Sequence, residues 1–179
     1  IPDVFPAEAL AQAEAAKPVS LGMAEDLRHL PLITVDGADA RDFDDAIWAA
    51  LDDDPKNKGG WQVIVAIADV AFYVRPQSPL DREALKRGNS VYFPDRVVPM
   101  LPERISNDLC SLKPGEPRGA LAVRMVIDRT GHKRSHTFHR VLMRSAAKLN
   151  YAQAQAAING RPDDTTGPLL DPILKPLYD

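Results

Sequence analysis

Apolar and polar residues along this chain alternate with two periods, and the switches between them mark its elements. Ala7 to Ala16 is rich in Ala and Glu and reads as a helical stretch that Pro18 ends. Leu32 to Val35 reads as a short strand. Ala46 to Leu51 and Trp61 to Ala68 read as two longer strands joined through the polar run Asp-Asp-Asp-Pro-Lys-Asn-Lys-Gly-Gly, which predicts a hairpin. A helix is then signalled by Ser78 as cap, Pro79 in the first turn, Asp81 at a capping-box-like spacing and Gly88 as terminator. Residues 89 to 118 carry many prolines and little periodicity. Their clusters Val-Val-Pro-Met-Leu and Leu-Cys-Ser-Leu predict ordered, packed, irregular chain. Ala120 to Asp128 and Ser135 to Leu142 suggest a second hairpin around Arg-Thr-Gly-His. A helix from about Asn150 to Ile158 follows, closed by Gly160, and residues 169 to 179 read as the start of a further element. There is no internal repeat or low-complexity tract.

Composition narrows the class. The chain has 179 residues, 45% hydrophobic and 26% charged, which suits one sizeable core and falls short of two comfortable domains. Its single cysteine, Cys110, supports neither a disulfide framework nor a cysteine zinc site and fits a reducing, cytoplasmic compartment. No apolar run approaches the ~20 residues of a membrane span. The opening Ile-Pro-Asp-Val-Phe-Pro lacks the basic flank and apolar stretch of an export leader. No membrane partner is expected. The formal net charge of −3 conceals an asymmetry: residues 1 to 74 carry 5 basic and 14 acidic side chains, residues 75 to 148 carry 15 and 7. An acidic first segment can hold cations and a basic middle segment can neutralise phosphates, a combination suited to a phosphodiester substrate. Arg124, Arg129, Lys133, Arg134 and Arg140 fall in or beside the second hairpin, where they are expected to decorate outer strand faces.

The chemistry concentrates between the first two strands. Asp36, Asp39, Asp42, Asp44 and Asp45 fall within ten residues of one another, flanked by apolar stretches. Like charges so close repel unless solvent or cations neutralise them. Hard divalent cations such as Mg²⁺ take oxygen ligands, and a pair of them serves phosphoryl transfer by holding the attacking and leaving oxygens in line. An acidic, solvated turn with no bound ion is the competing account of such a run.

The spacing Asp36-Gly-Ala-Asp-Ala-Arg-Asp42-Phe-Asp44-Asp45 resembles the first motif of the catalytic domain shared by ribonuclease II and ribonuclease R, the RNB domain. Further matches follow in order: Ile-Ala-Asp-Val at 67 to 70, Asp-Arg-Glu-Ala-Leu-Lys-Arg-Gly-Asn-Ser-Val-Tyr-Phe-Pro at 81 to 94, and Val-Pro-Met-Leu-Pro-Glu-Arg-Ile-Ser-Asn-Asp-Leu-Cys-Ser-Leu at 98 to 112. The similarity is greatest to the ribonuclease R branch. It implies an α+β fold of mixed, largely antiparallel sheets with flanking helices, in the form of an incomplete RNB-type exoribonuclease domain. It also implies that residues 1 to 179 are the N-terminal part of one such domain, with no complete second domain. The implied activity is Mg²⁺-dependent hydrolysis of single-stranded RNA from the 3′ end to nucleoside 5′-monophosphates.

The resemblance assigns roles residue by residue. Asp36, Asp42, Asp44 and Asp45 match the family's four catalytic aspartates, which bind Mg²⁺ and position the water. Asp39 occupies a variable position and is expected to face solvent. Arg41 is expected either to pair with a neighbouring carboxylate or to lie exposed, and Phe43 to pack inward between two metal-directed acids. Tyr92, by its spacing from Pro-Met-Leu-Pro at 99 to 102, matches the tyrosine that packs on the nucleotide at the 3′ end; stacking accepts any base and suits degradation without sequence preference. Asp69, Asn107 and Asp108 lie in matched motifs without an assigned role. Ala66 stands where many relatives have His. The implied partners are single-stranded RNA, the remainder of the RNB domain with its arginine-rich motif, and flanking cold-shock and S1 domains.

Other site types fit poorly. His132, His136 and His139 lie close in sequence, but residues three apart on a strand face opposite sides, against a zinc site. There is no Gly-x-Ser-x-Gly elbow, no phosphate-binding glycine loop, and no EF-hand pattern. Two competing classes are a non-catalytic RNA-binding or regulatory module of the same fold and a different metal-dependent phosphoesterase. The aspartate cluster counts against the first, because binding alone needs no such carboxylates.

Overall fold

The computed structural model describes residues 3–179; Ile1 and Pro2, which begin the segment read above for an export leader, lie outside the described residues. Helix α1 (Ala7–Ala15) is followed by three strands, β1 (Glu25–Asp26), β2 (Ile33–Asp36) and β3 (Asp45–Leu51), then by β4 (Trp61–Ala68) and two helices, α2 (Val70–Tyr73) and α3 (Pro79–Arg87). A small hairpin of β5 (Val91–Tyr92) and β6 (Val97–Val98) leads to a π-helical turn at Arg104–Leu109. Two long strands, β7 (Pro117–Ile127) and β8 (Lys133–Arg144), precede β9 (Ala147–Asn150) and α4 (Tyr151–Ile158). The chain closes on a helical run of α5 (Gly167–Leu169), a π-helical turn at Leu170–Leu174, and α6 (Lys175–Tyr178). Pro172 and Pro176 remove backbone donors within that run, which accounts for its broken hydrogen-bond register.

Seven strands form one sheet in the order β1-β8-β7-β4-β3-β2-β9. Its interior pairings are antiparallel, and the two edge pairings, β1 with β8 and β2 with β9, are parallel. The fold is therefore α+β with a mixed, largely antiparallel sheet and flanking helices. Strand alternation divides the core in two. Ala46, Ile64, Ala66, Ala68, Ala120 and Ala122 line one face and cluster with Ala9 and Ala13 of α1, Leu80 of α3, and Ile105 and Leu109 of the π-helical turn. The run of alanines leaves room for the layer of helix and irregular chain above it. Ile33, Ala147 and Leu149 cluster instead with Ala157, Ile173 and Leu174 of the C-terminal helices. Each fully buried Ile or Leu here contributes about 1.5–3 kcal/mol relative to exposure, so this second cluster ties β2 and β9 to the helices after them.

Local signals explain the elements that position the site. Ser78 Oγ accepts from Asp81 N at 3.3 Å and Asp81 Oδ2 accepts from Gln77 N at 2.7 Å, while Gly88 ends α3 at φ +79°. Asn150 Oδ1 accepts from Gln153 N at 2.8 Å and starts α4. Gly119 is required on β7 because a Cβ there would stand 2.7 Å from Val19 Cγ2. The region from 89 to 118, expected as irregular chain, holds the β5–β6 hairpin and the π-helical turn. The second hairpin extends beyond expectation at its open end, where Pro117–Gly119 pair with Leu142–Arg144; at the turn, β8 starts two residues earlier, at Lys133, and β7 stops one residue sooner, at Ile127. Among the described residues, no helix is long and apolar enough to cross a membrane.

Candidate functional site

β2 ends on Asp36 and β3 begins on Asp45, so the acidic motif is the connection between two antiparallel neighbours in the sheet. The loop has little regular hydrogen bonding of its own beyond a turn in which Ala40 N donates to Gly37 O at 3.2 Å. Its shape is imposed from outside. Phe43 is buried, its N–H donates to Ser111 Oγ at 3.2 Å, and its carbonyl accepts from Leu112 N at 2.8 Å. The Asp44 carbonyl accepts from Ala68 N at 2.8 Å. Residues from two separate segments, Ser111–Leu112 and the end of β4, thus fix the backbone between Asp42 and Asp44. Arg41 is exposed and, among the described residues, makes no ion pair, so the loop does not take its shape from that side chain. Asp39 is exposed.

The carboxylates act on one another. Loss of hydration, then the charges of Asp45 and Asp42, raise the pKa of Asp36, and Lys148 opposes them. Asp44 is exposed as a residue, but protein atoms crowd its carboxyl; loss of hydration, then Asp42, Asp45 and Asp36, raise its pKa. Asp36 Oδ2 is buried with no hydrogen-bond partner, as is Thr34 Oγ1 two residues earlier. A buried unsatisfied carboxylate oxygen is costly, and this one stands in a set of hard oxygen donors. That donor chemistry fits a hard divalent cation. Among the described residues, no three His, Cys, Asp or Glu side chains converge on one point as metal ligands. Engaging a common ion therefore requires these side chains to be drawn together against their repulsion.

Tyr92 belongs to the same neighbourhood. It stands on β5, 69% exposed, and the charge of Asp42, then loss of hydration and Asp44, raise the pKa of its hydroxyl. The β5–β6 hairpin holds it, with Tyr92 paired to Val97 and Phe93 N donating to Arg96 O at 2.8 Å. An exposed ring beside acidic groups can stack on a base while the acids face its phosphate. A cavity of about 430 Å³ opens next to the acidic motif, lined by Asp45, Val35, Ile47, Tyr151, Leu174 and Tyr178.

Three participants were not legible in the sequence. Lys148 on β9 lies opposite Thr34, so it projects on the same strand face as Asp36, and its Nζ sits 4.2 Å from the centroid of the Phe43 ring. Its only signal was a lone cation in the alternating run Ala-Lys-Leu-Asn. Ser111 and Leu112 stand 68 and 69 residues from Phe43, and nothing local announces the contact. The unassigned acids have structural partners. Asp69 is buried and lies 3.6 Å from Arg140. Asp108 gathers Arg104, Lys113 and Arg118. Two of the basic residues of the second hairpin are likewise engaged: Arg124 pairs with Glu25 at 2.7 Å and Arg134 donates to Lys56 O at 2.9 Å. His139 lies 3.2 Å from Glu25, while His136 packs edge-on to Phe138.

Against known proteins, the RNB domain model matches residues 24–179. Ribonuclease R of Vibrio parahaemolyticus is 52% identical over 135 residues, covering 75% of this chain and 16% of that protein. Ribonuclease R of Mycoplasma genitalium in complex with double-stranded RNA superposes with a TM-score of 0.87 at 29% identity, over 98% of this chain and 31% of that one. The same protein in complex with ribose-methylated single-stranded RNA gives a TM-score of 0.86 at 28% identity, over 98% and 28%. The chain thus spans about a sixth of its Vibrio relative.

Proposed function

Because this chain belongs to the RNB-domain family, we propose that it is the first part of the single catalytic domain of a cytoplasmic, hydrolytic exoribonuclease that degrades single-stranded RNA from the 3′ end to nucleoside 5′-monophosphates. The observation that carries the proposal is the juxtaposition of Tyr92 with Asp42 and Asp44, an exposed aromatic ring beside unspent carboxylates. It supports a division of labour. Asp36, Asp42, Asp44 and Asp45 would hold Mg²⁺, which when bound supplies an activated water and a counter-charge for the leaving 3′ oxygen. Tyr92 stacks on the terminal base and sets where the chain stops. Phe43, fixed between Asp42 and Asp44, holds the two acids in a constant relation. The buried, unpaired Asp36 Oδ2 supplies a strong acceptor that protein groups leave free.

The remaining partners are the rest of the domain, with its phosphate-contacting arginines, and flanking cold-shock and S1 domains in the whole protein. On this proposal the 179-residue chain alone shows little exonuclease activity and binds RNA weakly through residues 75–148, with an affinity that falls steeply with salt. The test is digestion of 5′-labelled single-stranded RNA by the whole enzyme with and without Mg²⁺. The expected products are 5′-mononucleotides and a ladder shortening from the 3′ end, both Mg²⁺-dependent. Internal cleavage fragments, or 3′-phosphate products, would contradict the proposal, and robust processive degradation by the isolated chain would show that the rest of the domain is dispensable.

A further inference from the structure

The acidic loop cannot hold itself in one shape. Its charges repel, it contains one short turn, and its one candidate internal cation, Arg41, is unpaired among the described residues. Yet the Phe43 peptide is held from both sides by consecutive residues of one distant segment: Ser111 Oγ accepts from its N–H at 3.2 Å and Leu112 N donates to its carbonyl at 2.8 Å. Ser111 and Leu112 are both 0% exposed. Neither bond therefore competes with water, and a buried N–H that loses its acceptor finds no ready substitute.

Ser111 is itself immobilised. The Arg118 guanidinium, almost fully buried, donates from Nε to Ser111 O at 3.0 Å and to Asp108 O at 3.1 Å. Its Nη2 reaches Glu116 Oε2 at 2.6 Å and Asp108 Oδ1 at 3.3 Å. Ser111 N donates to Asp108 O at 3.1 Å, and Cys110 N to Ile105 O at 2.8 Å, which ties the segment to the end of the π-helical turn. A chain of buried hydrogen bonds thus runs from Arg118, rooted in β7, through Ser111 to the peptide that separates Asp42 from Asp44. Because Phe43 lies between those two acids, holding both its N–H and its carbonyl fixes the backbone dihedrals from which the Asp42 and Asp44 side chains project.

We propose that Ser111, braced by Arg118, is a positioning residue of the site: its hydroxyl sets the orientation of Asp42 and Asp44 through the Phe43 N–H. The proposal rests on the functional reading above, and two of its tests do not require nuclease activity. Amide hydrogen exchange on the chain should show the Phe43 N–H protected as strongly as Ser111 N–H and far more than its loop neighbours Asp39 and Arg41. Rapid exchange at Phe43 would overturn the proposal whether or not any variant folds. In Mn²⁺ titrations followed by electron paramagnetic resonance, Ser111→Ala should bind at least fivefold more weakly than wild type, while Ser111→Thr, which keeps the hydroxyl, should stay within twofold. In the whole enzyme the same pair should split in turnover, Ser111→Ala falling tenfold or more with RNA affinity within twofold and Ser111→Thr largely restored. Equal behaviour of the two variants in both assays would refute the positioning role. If wild type bound no Mn²⁺ and cleaved no RNA while Phe43 remained protected, the functional reading would fail and the structural brace would stand.

Discussion

Two groups of aspartates in this molecule are treated in opposite ways. At the Asp163 turn, one carboxylate accepts from Thr166 N at 2.7 Å, Thr166 Oγ1 at 2.8 Å, Thr165 N at 3.0 Å and Gln153 Nε2 at 2.7 Å, and these bonds lower its pKa from 3.8 to about 2. At the tip of the β7–β8 hairpin, Asp128 accepts from Thr130 N, Thr130 Oγ1 and His132 N and is likewise lowered to about 2. In the acidic loop, Asp36 and Asp44 are raised, and Asp36 Oδ2 has no partner at all. The difference lies in what surrounds each acid. The turn aspartates are consumed largely by backbone and hydroxyl donors two to four residues on, as in Asx turns. The loop aspartates spend none of their capacity on the fold, because the loop is braced through the Phe43 and Asp44 peptides instead. Aspartates that shape a turn are satisfied by it; a set left unsatisfied and held from outside is available to a ligand.

The largest expected effect comes from neutralising one member of the unsatisfied set. In the whole enzyme, Asp44→Asn keeps the size of the side chain and removes its charge. Single-turnover cleavage should fall about a hundredfold or more, ~3 kcal/mol, with RNA affinity nearly unchanged. Near-normal turnover would break the contrast with the turn aspartates, and equal losses of binding and turnover would make the loop structural.

Next in size is Tyr92→Ala, which sharpens the contrast by asking whether the free carboxylates work beside a stacking surface. Loss of a stack worth about 1–3 kcal/mol should leave cleavage intact but release a longer limit product. An unchanged product ladder would reduce Tyr92 to a surface residue.

The smallest effects belong to the satisfied acids. Asp163→Ala should lower the melting temperature at neutral pH, because the depressed pKa of Asp163 means the folded state binds its proton less readily than the unfolded chain. That contribution is fully present above about pH 4 and is lost as the pH falls through 2, so the melting curves of variant and parent should converge there. A gap that persisted at pH 2 would show that the turn owes little to the charged carboxylate.

How far these arrangements could be read from sequence depends on the separation of the partners. The capped starts of α3 and α4 follow from Ser78, Asp81 and Asn150, whose partners lie within four residues. β4 runs from Trp61 to Ala68 as its alternation indicates, and β3 begins one residue earlier than expected, at Asp45. The four catalytic candidates and Tyr92 were visible because their motif is contiguous or evenly spaced from a second one. The two-residue β1 and the edge strand β9 were not, since each exists only by parallel pairing with a distant strand. Nor were Lys148, Ser111 and Arg118, which act on the loop through contacts that close only when the sheet is assembled.

The most direct test of the claim that the acidic loop is a cation site left unsatisfied by the fold is a Mg²⁺ titration of the melting temperature of this chain and its Asp44→Asn variant at constant ionic strength. Without Mg²⁺ the variant should melt at the same temperature or higher, because it relieves repulsion with Asp36, Asp42 and Asp45. With Mg²⁺ the parent should gain stability in a concentration-dependent way, as any ligand specific to the folded state produces, and the variant should gain much less. A variant that melts lower without Mg²⁺ and responds to the ion as the parent does would contradict the account.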